Sequence, residues 1–86
     1  MKFSVEWHKQ ALKSLEKISP ELIERILNKF DEVAENPFRY LEHLESDRVY
    51  KLRVGDYRFL IDVDFTNKIL FVQYFDHRKK VYDYLK

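Results

Sequence analysis

Lys51, Arg53 and Arg58 fall within eight residues of the stretch Tyr50 to Leu60, YKLRVGDYRFL. Gly55-Asp56 in its middle suits a two-residue hairpin loop of type II′, which takes glycine at its first central position. That loop pairs Val54 with Tyr57, Arg53 with Arg58, Leu52 with Phe59 and Lys51 with Leu60. Strand alternation then gathers Tyr50, Leu52, Val54, Tyr57, Phe59 and Ile61 on one side, and Lys51, Arg53 and Arg58 on the other. Like charges placed directly opposite one another repel. With no acid expected among their near neighbours, the three cations read as a site for an anion. A polyanion such as nucleic acid offsets the repulsion. The alternative is that Arg53 and Arg58 splay into water, or pair with Asp62, Asp76 or the C-terminal carboxylate.

A second cationic run, Asp76-His77-Arg78-Lys79-Lys80, precedes Val81-Tyr82. It follows the strand beside the hairpin, so its basic residues are expected to reach the same patch. His77 is the histidine embedded in that run and is a candidate base. His8 and His43 lie in acidic surroundings and receive no role. No His/Asp/Glu cluster shows a metal-ligand spacing.

The elements that must position these groups are readable in outline. KFSVEW alternates, with Phe3, Val5 and Trp7 on one side: a short strand. Ala11, Leu12, Leu15 and Ile18 then mark a helix from His8 that stops near Ser19, because Pro20 disfavours helical geometry before it. Ser19-Pro20-Glu21 starts a second helix with an N-cap, a proline at N1 and a carboxylate in the first turn. Leu22, Ile23, Ile26, Leu27, Phe30, Val33 and Ala34 form its apolar stripe, and Asn36-Pro37 ends it. Glu24, Asp31, Glu32 and Glu35 lie off the stripe as a solvated face. Residues 37–47 read as a connector with Phe38, Leu41 and Leu44 as apolar anchors. Strands follow over 48–54, 57–63 and 69–75, with the second turn near Thr66-Asn67. The expectation is a single α+β domain over residues 1–86, of order β-α-α-β-β-β. A two-helix hairpin should cover one face of a mostly antiparallel four-stranded sheet and leave the other partly open.

Composition bounds the class. The 86 residues are 45% hydrophobic, with 14 aromatics and one glycine, a packed rather than a disordered chain. Net charge is +1, but residues 1–47 carry −3 and residues 48–86 carry +4. Positive charge is thus concentrated toward the hairpin and tail. There are no cysteines, which excludes disulfides and cysteine-based zinc sites. The start, MKFSVEWHKQ, has no signal-like apolar core, and the longest apolar run is ILFV, so a cytoplasmic protein with no membrane partner is expected.

YKLRVGDYRFLIDVD followed by FDHRKKVYDYL resembles the RelE/ParE superfamily of toxins from type II toxin–antitoxin modules, and the RelE-like branch in particular. Its members often read Y-R/K-L-R-x-G-D-Y-R and then H-R-x-x-V-Y, and the resemblance covers essentially the whole chain. It implies a RelE-like fold, a RelB-like antitoxin as protein partner, and mRNA on the ribosome as substrate, without metal or small-molecule cofactor. RelE-type toxins cut mRNA in the A site by 2′-hydroxyl attack on the adjacent phosphodiester, leaving a 2′,3′-cyclic phosphate and a 5′-hydroxyl. The resemblance implies catalytic roles for Lys51, Arg53, Arg58, His77, Arg78 and Tyr82. RNA contacts fall to Lys51, Arg53, Arg58, Arg78, Lys79 and Lys80. Well-studied members carry lysine at the position of Arg53. Arginine stays protonated in proteins, so Arg53 is expected to clamp phosphate while Lys51 or His77 acts as base. Arg78 would act as acid or stabiliser and Tyr82 would orient the nucleotide. Leu60, Phe38 and Tyr84 are candidate antitoxin contacts. Most of this set is missing from ParE-like relatives, whose activity is inhibition of DNA gyrase. That activity, or simple antitoxin binding and corepression, is the alternative.

Overall fold

The computed structural model describes residues 2–44 and 49–77. In chain order the elements are β1 (Ser4–Trp7), α1 (Lys9–Leu15), α2 (Pro20–Glu35), α3 (Pro37–Tyr40), β2 (Glu42–His43), β3 (Val49–Val54), β4 (Tyr57–Asp64) and β5 (Ile69–His77). The sheet order is β1-β5-β4-β3-β2, with β1 parallel to β5 and every other pairing antiparallel. The α+β fold is as expected, but the sheet has five strands rather than four. The added strand lies inside the stretch read as a connector. At two residues β2 is too short to show a period, and only β3 reveals it, by pairing Glu42 with Lys51 and His43 with Tyr50. The same stretch holds α3, a single turn with proline at its start. Of the anchors expected there, Leu41 packs on the core. Phe38 does not: it is 67% exposed and stacks on Phe65 with ring centroids 5.5 Å apart.

Local signals set the helices. The Ser19 hydroxyl accepts from the Leu22 N–H at 3.4 Å, capping α2 as its sequence implies. α1 is shorter than its apolar stripe, because the chain tightens into three-residue turns after Leu15. Glu16, Lys17 and Ile18 donate to the carbonyls of Lys13, Ser14 and Leu15. His8 caps the other end, its Nδ1 accepting from the Gln10 N–H at 3.2 Å. Ala11 of α1 and Ile26, Phe30, Val33 and Ala34 of α2 are buried against one face of the sheet. Leu12, assigned to the stripe, is half exposed instead.

On the sheet, Leu52, Val54, Phe59, Ile61, Val63, Leu70, Val72 and Phe75 complete that core. Phe59 is its hub: its ring stacks on Phe75 at 4.7 Å and meets Phe30 edge-on at 5.3 Å. β5 reaches this arrangement only through a bulge. The register passes from Leu60↔Tyr74 to Ile61↔Val72 and leaves Gln73 with no residue opposite it. Pleat parity inverts there. Leu70 and Val72 face the helices before the bulge and Phe75 after it, which sends Tyr74 and Asp76 to the other face.

Phe59→Ala is expected to cost about 3–5 kcal/mol of unfolding free energy in urea titration. Ser19→Ala should cost about 1 kcal/mol by the loss of its cap. Leu12→Ala should stay within about 0.5 kcal/mol.

Candidate nucleic-acid interface

The hairpin register is the one its turn chemistry dictates: Arg53 lies opposite Arg58 and Val54 opposite Tyr57. Gly55 has φ +59°, and Lys68, in the next turn, is the only described non-glycine residue with positive φ. A positive φ confined to the first loop position is the type II′ pattern. Lys51, Arg53 and Arg58 therefore share the sheet face away from the helices.

Strand pairing arranges that face in two rows. One runs Arg53–Arg58–Asp76 across β3, β4 and β5. The other runs Glu42–Lys51–Leu60–Tyr74 across β2 to β5. Adjacent strands are about 4.8 Å apart, so the second row spans about 14 Å. Leu60, expected as a leftover surface residue, is only 3% exposed and forms the apolar floor.

The expectation of cations without nearby acid fails at both ends of these rows. Lys51 Nζ lies 3.3 Å from Glu42 Oε2. Asp76 stands opposite Arg58 in register, yet its oxygens are engaged elsewhere. Oδ1 accepts from the His77 N–H at 2.7 Å and Oδ2 from the Tyr74 hydroxyl at 3.2 Å. The two arginines differ in exposure. Arg53 is exposed and also lines a cleft of about 530 Å³ between the hairpin tip and α2, beside Glu21, Glu24 and Arg25. Arg58 is 6% exposed. Its Nη1 donates a long hydrogen bond to the Tyr57 carbonyl at 3.5 Å. Its Nε is buried with no hydrogen-bond partner among the described residues.

His77 does not join this patch. It pairs with Tyr57, whose ring it meets at 6.1 Å, on the helix side of the sheet. The Gln73 bulge is the reason, because it sets Asp76 rather than His77 on the face of Arg58. Arg78, Lys79, Lys80, Tyr82 and Tyr84 lie outside the described residues. Two residues assigned no role from the sequence, Glu42 and Tyr74, belong to the face, and Asp76, expected only as an alternative partner of the arginines, joins them. Glu42 left no signal, since its strand has no periodicity. Tyr74 and Asp76 left one, because Phe75 falls out of phase with Leu70 and Val72. Chemically, the face offers cations for a phosphate, carboxylates at both margins and one hydroxyl tied to a carboxylate.

Comparison with known proteins places this arrangement. A family model described as "ParE toxin of type II toxin-antitoxin system, parDE" matches residues 5–82. A curated relative from Methanocaldococcus jannaschii, named "Putative toxin RelE1", is 29% identical, with 95% of this chain and 97% of that protein covered. The crystal structure of an archaeal RelE–RelB complex from Pyrococcus horikoshii OT3 superposes at TM-score 0.79 with 26% identity, over 91% of this chain and 97% of the other. The toxin–antitoxin complex RelBE2 of Mycobacterium tuberculosis gives TM-score 0.81 at 22% identity, over 91% of this chain and all of that one, a likeness of fold. The match across nearly the whole sequence, on a sheet built like that of the RelE structures, means that the chain belongs to the RelE/ParE family of type II toxin–antitoxin toxins.

Proposed function

We propose that the protein is a ribosome-dependent mRNA endoribonuclease, inhibited by a RelB-like antitoxin and acting on mRNA in the A site. The observation that carries this reading is Arg58: a guanidinium 6% exposed, with a buried nitrogen that has no partner among the described residues, in one row with Arg53. A buried charge without a counter-ion is costly and strongly favours binding an anion. A phosphodiester supplies that anion and relieves the Arg53–Arg58 repulsion as well.

In this reading Arg58 and Arg53 grip the scissile phosphate and stabilise the charge that grows on it as the 2′ oxygen attacks. Lys51, held against Glu42, adds a third cation at the edge. His77 is withdrawn from proton transfer, because it lies on the opposite side of the sheet. Arg78 as acid or stabiliser, Tyr82 as nucleotide orienter, and Lys79 and Lys80 as RNA contacts stay part of the proposal from the family motif. The antitoxin partner follows from the complexes formed by the structural relatives. One observation favours a second reading, inhibition of DNA gyrase: the matching family model is described by its ParE members.

The deciding experiment expresses the chain without a partner and maps mRNA ends on stalled ribosomes. Cuts inside A-site codons, lost in Arg58→Ala and reduced in Arg53→Ala, are expected. Growth arrest with intact mRNA overturns the proposal in favour of gyrase. Arg58→Met should also be neutral to thermal unfolding or raise stability by about 1 kcal/mol or more while abolishing cleavage, since it removes a buried charge that forms no ion pair among the described residues. For single-stranded RNA bound to the isolated protein, each of Lys51→Ala, Arg53→Ala and Arg58→Ala should reduce the slope of log affinity against log salt by about 0.7.

A further inference from the structure

The cleavage reading leaves one requirement unmet: a group to take the proton from the attacking 2′ hydroxyl. Arginine cannot take it, and His77 faces the other way. Lys51 is engaged by Glu42 at the far end of its row. The other end of that row carries Tyr74, whose hydroxyl donates to Asp76 Oδ2 at 3.2 Å. Asp76 is itself pinned, because the His77 N–H holds its Oδ1 at 2.7 Å and fixes the direction of Oδ2. Tyr74 and Arg58 are diagonal neighbours across β4 and β5, one pair removed in register. Diagonal neighbours on one face are within reach of long side chains. A phosphate seated on Arg58 therefore carries its neighbouring ribose toward the Tyr74 hydroxyl.

We infer that Tyr74 and Asp76 form the proton-accepting pair of this site, an inference that rests on the cleavage reading above. Tyr74 is the catalytic residue that touches the 2′ hydroxyl, and Asp76 is the positioning residue and final acceptor behind it. The 2′ oxygen bonds to phosphorus as the bond from phosphorus to O5′ breaks. The 2′ hydroxyl proton passes to the Tyr74 oxygen while the phenolic proton moves along the existing hydrogen bond to Asp76 Oδ2. O5′ takes a proton from water, and Asp76 later returns its own to solvent, so atoms and charge balance over a turnover. The bulge at Gln73 makes the pair possible, since it alone puts both side chains on the face of Arg58.

The test is single-turnover cleavage of mRNA on programmed ribosomes by the wild-type protein, Tyr74→Phe, Asp76→Asn and the double variant. Each single variant is expected to lose about 10²-fold or more in rate. The double variant should be no slower than the worse single one, because the two act as a unit. Asp76→Glu, which keeps a carboxylate, should recover part of the rate. Wild-type rates in Tyr74→Phe, or losses that multiply or that track a fall in Tm, overturn the inference and leave the cleavage reading standing. Failure of the wild-type protein to cut mRNA overturns both.

Discussion

The buried guanidinium of Arg58, whose Nε has no hydrogen-bond partner among the described residues, is the constraint that organises the open face. The hairpin turn forces Arg53 and Arg58 into opposition, and the chain resolves this by burying one and exposing the other. Burial deprives Arg58 of water without an ion pair to any carboxylate of the described residues. The nearest acid in register, Asp76, spends its oxygens on Tyr74 and on a backbone N–H. Burying a charge in this way is electrostatically costly, and the cost falls when an anion reaches it.

The rest of the fold holds that face rigid. Phe59 directly follows Arg58 in β4 and is fully buried under α2, stacked on Phe75 and edge-on to Phe30. Alternation makes the two faces of β4 inseparable: any shift that moves Arg58 must also move Phe59 against a close-packed aromatic cluster. The row of Arg53, Arg58 and Asp76 thus inherits its precision from the core beneath it. Glycine at Gly55, with its positive φ, keeps the loop at two residues and so keeps the register that sets the row.

The bulge in β5 has comparable reach. A single extra residue, Gln73, turns the second half of the strand over, so that Phe75 enters the core while Tyr74 and Asp76 join the arginines. His77 consequently falls beside Tyr57, although a straight reading of the chain carries it to the cationic patch. A family motif transfers residue types along a sequence. Which face each type occupies depends on every unpaired residue upstream of it.

Local chemistry was enough to determine the hairpin register through Gly55-Asp56, the start of α2 through Ser19-Pro20, and the apolar face of Leu52, Val54, Phe59 and Ile61. Each depends on neighbours a few positions apart, and the chain carries those with it wherever it folds. The strand at Glu42–His43, the inversion at Gln73, the burial of Arg58 and the side taken by His77 were decided only when distant segments met. A two-residue strand has no stability or period of its own, and a bulge is defined by the strand opposite. A guanidinium is buried or exposed according to what packs around it. Those facts belong to pairings between distant parts of the chain, and tertiary structure alone supplies them.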